Sequence, residues 1–289
     1  MKKLSGLLLA SCLFCGGSGV LAAQEPGDGP TPPPNVLVIQ REYVKPGRAG
    51  MVHDRSESAF VRAFAAAKSQ SHYFGMNSLS GPSRALFFLP YSSFAAWEKD
   101  NQALEHNATL SAAIDHAAAA DGDLLNAYDS SVWTYSDEFS LNSTVHIPDM
   151  RYMEISSIKV RSWHRQEWNE LARLYKQGYA NVPTAKWAVF ENMYGTNMGG
   201  EYLVITPMKS MSEIDQEVAD DKQFRAALGA DGLKRMAELS ASCIESAQTN
   251  LFQFNPKMSY VPDSWIKADP DFWKPKAMAT KKPEPKPAQ

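Results

Sequence analysis

Cysteine is scarce in this 289-residue chain: only Cys12, Cys15 and Cys243 are present. The first two lie inside an N-terminal apolar stretch that reads as a removable leader, which leaves Cys243 alone and no internal disulfide to form. Cys243 reads as a small buried helical residue, not a reactive thiol. Catalytic signatures are missing too. There is no HExxH, no P-loop, no GxGxxG and no GxSxG, and no CxxC or CxxCH remains once the leader is removed. These absences exclude zinc proteases of the HExxH type, covalent c-type haem, nucleoside-triphosphate P-loop chemistry and serine hydrolysis on a nucleophile elbow. Positive charge is also in deficit. Lys and Arg number 29 against 32 acids, a net −3 that becomes −5 without the leader's Lys2 and Lys3, a poor balance for binding nucleic acid. No transmembrane segment is expected, because nothing after the leader approaches the length of a membrane span.

The ends of the chain have characters of their own. Lys2 and Lys3, the apolar Leu4 to Leu21 and the small Ala22 and Ala23 predict a signal peptide over residues 1–23, and hence an exported, periplasmic or secreted protein. Leu9-Ala10-Ser11-Cys12 also resembles a lipobox, which would anchor the protein through Cys12 instead. Residues 24–34 form a proline-rich leader, an extended spacer. Residues 260–275, with Trp265, Phe272 and Trp273, form an aromatic segment expected to dock on the domain surface, with partner binding as the alternative. Residues 276–289 mix lysine, proline and alanine, too polar to build a core. They predict a disordered tail whose lysines offer a possible contact with an anionic envelope surface.

What is present is a duplication. Val36 to Val44 is a β-rich run followed by Pro46-Gly47 and a helical stretch in which Ala59, Phe60, Ala63, Phe64 and Ala67 recur at three- and four-residue spacing. About 116 residues later Arg151 to Val160 repeats the strand, and Trp168, Leu171, Ala172, Tyr175 and Tyr179 repeat the helix. His72 to Asn77 answers to Lys186 to Asn192, each entering a glycine-containing hairpin turn, and Arg84 to Pro90 answers to Glu201 to Pro207. Serines then open a further helix in each copy, at Ser92-Ser93 and at Ser210 and Ser212. Val132 to Tyr135 and Leu251 to Phe254 supply the last strands. Residues 35–141 and 150–259 therefore each predict strand, helix, strand, strand, helix, strand: an α+β, ferredoxin-like βαββαβ unit.

The open sheet of such a unit needs cover on its second face, and two copies in one chain supply it by packing sheet to sheet. On this element order and duplication the chain resembles the dimeric α/β-barrel superfamily in its fused, tandem arrangement. The stretch Trp265 to Pro275 further resembles the end of uncharacterised exported bacterial proteins, which brings no function. The superfamily resemblance implies a small-molecule ligand in a cavity between sheet and helices. Some relatives bind haem or oxidise aromatic substrates, but none of their functional residues can be matched here. Internal closure of the barrel also implies a monomer. The first reading is a small-molecule-binding protein with no cofactor evident. The alternatives are a monooxygenase-like or haem-using enzyme of the same fold, and an interaction protein acting through its C-terminal segment.

The residues that could carry chemistry follow from spacing. His53 and Glu57, beside Asp54, are four apart on one helix face, where they could orient an imidazole, offer two metal ligands, or form a polar pair on a solvated surface. The matching region of the second copy, near Asn169, Glu170 and Arg173, has no histidine. Strand alternation puts His72, Phe74 and Met76 on one face and Tyr73, Gly75 and Asn77 on the other, so either His72 or the pair Tyr73 and Asn77 points into a cavity. Trp168, Glu191 and Tyr194 are candidates to line a second cavity, with an aromatic core carrying one rim carboxylate as the alternative. No metal site is assigned. His106, His116, His146 and His164 show no ligand spacing.

Overall fold

The computed structural model describes residues 29–195 and 201–274. The signal peptide, residues 24–28 of the proline-rich leader and the lysine-rich tail lie outside the described residues. The first unit runs β1 (Val36–Val44), α1 (Met51–Ala67), β2 (Tyr73–Ser78), β3 (Arg84–Tyr91), α2 (Phe94–Glu105), α3 (Ala108–Gly122) and β4 (Leu125–Leu141). The second repeats it as β5 (Tyr152–Val160), α4 (Arg165–Tyr179), β6 (Trp187–Gly195), β7 (Tyr202–Met208), α5 (Ser212–Cys243) and β8 (Ile244–Tyr260). Two short helices follow, α6 (Asp263–Ala268) and α7 (Pro270–Trp273).

Each second helical region is broken once. Asn107 ends the turn after α2 and caps α3 by accepting a hydrogen bond from the Leu110 N–H, so the first copy has two helices. In α5 the break falls at Gly229, whose φ of 65° lies in the left-handed region that glycine tolerates best. The last strands are longer than their apolar cores suggest. Both β4 and β8 have 17 residues, because each pairs along one side within its own unit and along the other with the opposite unit.

The strand order is β1-β3-β2-β8-β5-β7-β6-β4, closing back on β1. All pairings are antiparallel, and the two units join edge to edge through β2 with β8 and β4 with β6. The result is one closed eight-stranded barrel made from two ferredoxin-like sheets, which leaves no open sheet edge among the described strands. The fold is the fused dimeric α/β-barrel expected from the duplication.

Side-chain alternation sends one face of every strand into the barrel. Leu37, Ile39, Phe74, Met76, Trp133, Phe190, Ile205 and Phe252 fill the interior with apolar volume. The aromatic C-terminal segment closes one end. Trp265 and Trp273 pack on Phe74 and Phe254, and the Trp273 Nε1–H donates to the Pro148 carbonyl at 2.9 Å. Trp273 is 5% exposed, so this segment docks within its own chain as part of the core. The outer strand faces carry the helices, α1 with α3 over the first sheet and α4 with α5 over the second.

Candidate metal centre

The two sheet–helix layers are filled differently. In the second unit, Trp168, Leu171, Ala172, Phe224, Leu239 and Cys243 form an apolar cluster with Val189 and Tyr202 on the sheet. In the first, the most enclosed side chains of α1 are polar: His53, 1% exposed, and Glu57, 3%. The alanine and phenylalanine stripe of α1 is only partly buried. The solvated-surface reading of His53 and Glu57 is therefore wrong. Their four-residue spacing turns both toward the sheet, and the exposed face of α1 belongs to Met51, Val52 and Arg55.

Two further acids complete the group, and sequence spacing did not reveal either. Glu42 stands on the outer face of β1, because alternation sends Leu37 and Ile39 inward. Asp121 lies in the last turn of α3, which packs on α1. His53 Nε2 is 2.9 Å from Glu42 Oε2, 3.7 Å from Asp121 Oδ1 and 3.8 Å from Glu57 Oε1. All four residues are buried, and their ligand atoms lie within 4.8 Å of one another. Glu42 had a signal of its own in the sequence, a carboxylate on the helix-facing side of a strand that otherwise shows Val36, Val38, Gln40 and Val44 there. Asp121 had none, because helix packing alone brings it near.

The electrostatics are unfavourable without a counter-charge. Burial, then the charges of Glu42 and Asp121, push the Glu57 carboxyl up to about 10. Burial also raises Glu42, against the opposing hydrogen bond from His53. Glu57 Oε1 and Asp121 Oδ1 are buried without a hydrogen-bond donor. The Tyr73 hydroxyl is buried and unpartnered too, and it is raised by burial and then by the nearby charges of Glu57 and Glu42. Three buried carboxylates around one imidazole need protons or a cation.

The remaining sequence candidates separate. Tyr73 faces the helices, as one of the two registers required, packing on Phe64 and Phe87. Asn77 shares a row with Glu42 through Ala85, two strands away and half-buried at the margin. His72 stacks on Tyr260 at 5.0 Å, outside the cluster. Trp168 packs on Tyr202 in the apolar layer of the second unit. Glu191 pairs with Arg165 at 2.6 Å near the surface, and Tyr194 is exposed.

The second unit provides an internal control. Counting back from the strand ends Val44 and Val160, Glu42 matches Ile158, and the buried pair four apart on α4 is Trp168 and Ala172. The asymmetry between the copies is thus larger than the sequence suggested, and the match falls one residue before Asn169 and Arg173. The same scaffold closes with an indole, a methyl and an aliphatic chain, so the fold does not require His53 and its acids.

No protein-family model matches the chain, and no curated protein is similar to it in sequence. Solved structures with the same architecture include a proposed monooxygenase from Fusobacterium nucleatum (9% identity, 77% of this chain and 93% of that one, TM-score 0.49). An anthrone oxidase-like protein matches at 14% identity, 76% and 91% coverage and TM-score 0.49. A chlorite dismutase from Candidatus Nitrospira defluvii, in complex with imidazole, matches at 10% identity, 81% and 95% coverage and TM-score 0.43.

These neighbours correct the expectation that no cofactor is evident. Chlorite dismutases are among the solved structures that the chain matches. The buried four-residue group corrects it independently. Haem, which the superfamily resemblance implies, does not fit that group. A macrocycle needs an apolar slot beside its ligand, and His53 Nε2 is enclosed by three carboxylates. The equivalent space of the second unit is filled by Trp168, Leu171, Phe224 and Leu239.

Proposed function

We propose that the protein is a metal-dependent member of the dimeric α/β-barrel fold, holding one divalent cation on Glu42, His53, Glu57 and Asp121. One observation carries this reading: four ligand-capable side chains from β1, α1 and α3 converge in the buried layer of one unit, while the other unit packs that layer with apolar groups. Ligands at about 2.1 Å in a tetrahedral shell sit about 3.4 Å apart, against separations of 2.9 to 3.8 Å around Nε2 and up to 4.8 Å across the group, so the carboxylates would close in on a cation. A mixed imidazole and carboxylate set without thiolate suits Zn²⁺, Fe²⁺ or Mn²⁺ better than Cu⁺. A bound cation would supply Lewis-acid or, if iron or manganese, redox chemistry.

The chain's own residues set what such a centre does. His53 and Glu57 are held four apart on one helix, so the rigid α1 fixes two ligands at once. Tyr73 keeps a neutral hydroxyl near Glu57 and can donate a hydrogen bond to a small molecule bound beside it. Enclosure by α1 and α3 excludes bulk water and favours small reactants. A monooxygenase-like reaction on a small substrate agrees with this picture. Internal barrel closure supports a monomer, and the N-terminal residues support export. No helix among the described residues is long and apolar enough to cross a membrane.

Elemental analysis of protein purified without chelator tests the reading. One equivalent of zinc, iron or manganese per chain is expected, lost in His53→Ala and Glu42→Gln. Metal-free protein that takes up none of these ions would refute it, as would a Soret band with a full equivalent of haem.

A further inference from the structure

The inner face of the strand that supplies Glu42 carries a second polar group, and it does not depend on the metal reading. Alternation along β1 sends Glu42 outward and its neighbour Arg41 into the barrel, at the end opposite the Trp273 plug. Arg84 projects into the same space from β3. Its Cα partner is Tyr43, two residues beyond Arg41, and its guanidinium lies 5.1 Å over the ring of Phe252. Asn250 continues this inward face on β8 and is buried.

The charges at this end do not balance. Arg41 is 4% exposed, and its Nε–H donates to Asp129 at 2.6 Å, which pairs one guanidinium with one carboxylate. Its second terminal nitrogen is buried with no acceptor, and Arg84 Nε is buried with none either. Arg84 also hydrogen-bonds the Tyr43 side chain and is drawn to Asp129, so two guanidiniums share one carboxylate, an excess of one positive charge, with one nitrogen of each left without an acceptor. Taking Arg41 fully and Arg84 partly out of water is costly, and a scaffold with no use for them closes more easily with apolar residues, as the interior below does.

We propose that this end of the barrel binds a small oxyanion, a carboxylate or a phosphate-like group, on Arg41 and Arg84. Planar guanidiniums with paired N–H donors match two oxygens of such an anion, and a halide ion satisfies only one direction. Asn250 supplies a neutral amide at the rim, and Phe252 forms an apolar floor that keeps the anion at the mouth.

Calorimetric titration of the full-length protein with sodium phosphate, acetate and chloride at fixed ionic strength tests this. Saturable one-site binding of phosphate or acetate, without chloride binding, is expected. Acetate alone would assign a carboxylate, and phosphate alone a phosphate-like group. Arg84→Gln should weaken binding at least about tenfold, the loss of a charge-assisted hydrogen-bonding partner. Arg84→Lys should give an intermediate loss, and it serves as the comparison if the glutamine variant does not fold. Trp163→Ala, at a fully exposed side chain outside both groups, should bind the anion as the wild type does, and titration without added metal keeps the result readable if the metal reading fails. Absence of saturable oxyanion binding, or undiminished binding by a folded Arg84 variant, would overturn the proposal.

Discussion

Replacing Glu57 by glutamine separates a metal centre from a structural polar cluster. The substitution keeps size and hydrogen-bonding capacity and removes one charge. In metal-free protein the folded state raises Glu57 from its ordinary 4.5 to about 10. Between those values the folded protein holds a proton that the unfolded chain has released. This contribution to stability is fully present below 4.5 and is lost progressively as pH rises toward 10. At pH 7 the gap from 4.5 is two and a half units, which at about 1.36 kcal/mol each amounts to roughly 3 kcal/mol of penalty that Glu57→Gln removes. At about 2–4 °C per kcal/mol for a protein of this size, the metal-free variant should melt roughly 6–12 °C above metal-free wild type at pH 7. It should also show a flatter decline of Tm with pH. Its amide N–H₂ can donate to Asp121 as the protonated carboxyl does, so that contact is kept. Divalent cation should reverse the order, raising the wild-type Tm and leaving the variant nearly unchanged. Differential scanning calorimetry after chelation, with and without added Zn²⁺ or Mn²⁺, reads both effects. A less stable metal-free variant, or equal stabilisation of both proteins by metal, would refute the reasoning.

Other expectations follow from packing. Trp273→Ala empties the barrel plug and its hydrogen bond to Pro148, and should cost about 3–5 kcal/mol in urea denaturation. A loss below 1 kcal/mol would mean that the C-terminal segment is not part of the core. Gly178→Ala would place a methyl 2.5 Å from the Phe224 ring, which stacks on Tyr179 at 4.4 Å. About 1–3 kcal/mol of destabilisation is expected, read by the same assay, and a neutral substitution would show that the contact between α4 and α5 yields easily. Burial raises the Cys243 thiol and encloses it, so a thiol reagent should label it only at the rate of unfolding. Rapid labelling under native conditions would contradict the packing of that helix end.

The fold was legible because duplication supplies redundancy. Strand β1 is framed by Asn35 and Lys45 and reads without ambiguity, and Ser93 caps α2 as its position suggests, accepting from the Ala96 N–H. The long ends of β4 and β8 were not legible. Tyr128, Asp129 and Ser130, or Ser246, Ala247 and Gln248, lack an apolar alternation, and partners from their own unit, β1 and β5, hold them in the sheet. The site was half legible. Spacing flagged His53 and Glu57, and alternation put Tyr73 opposite Phe74. Burial of the pair was not readable, because a histidine and a glutamate four apart are usual on solvated helices. Asp121 is 64 residues from Glu57, so nothing local connects them. His72 and Glu191 had suitable chemistry but lie against Tyr260 and Arg165 instead.

The central claim is that one cation sits among Glu42, His53, Glu57 and Asp121. An anomalous difference map from crystals equilibrated with Mn²⁺, measured in parallel for wild type and His53→Ala, tests it most directly. The account predicts a single strong peak within about 2.3 Å of all four side chains in wild type, absent in the variant. A cluster without a peak, or a peak that persists in the absence of the imidazole, would contradict it.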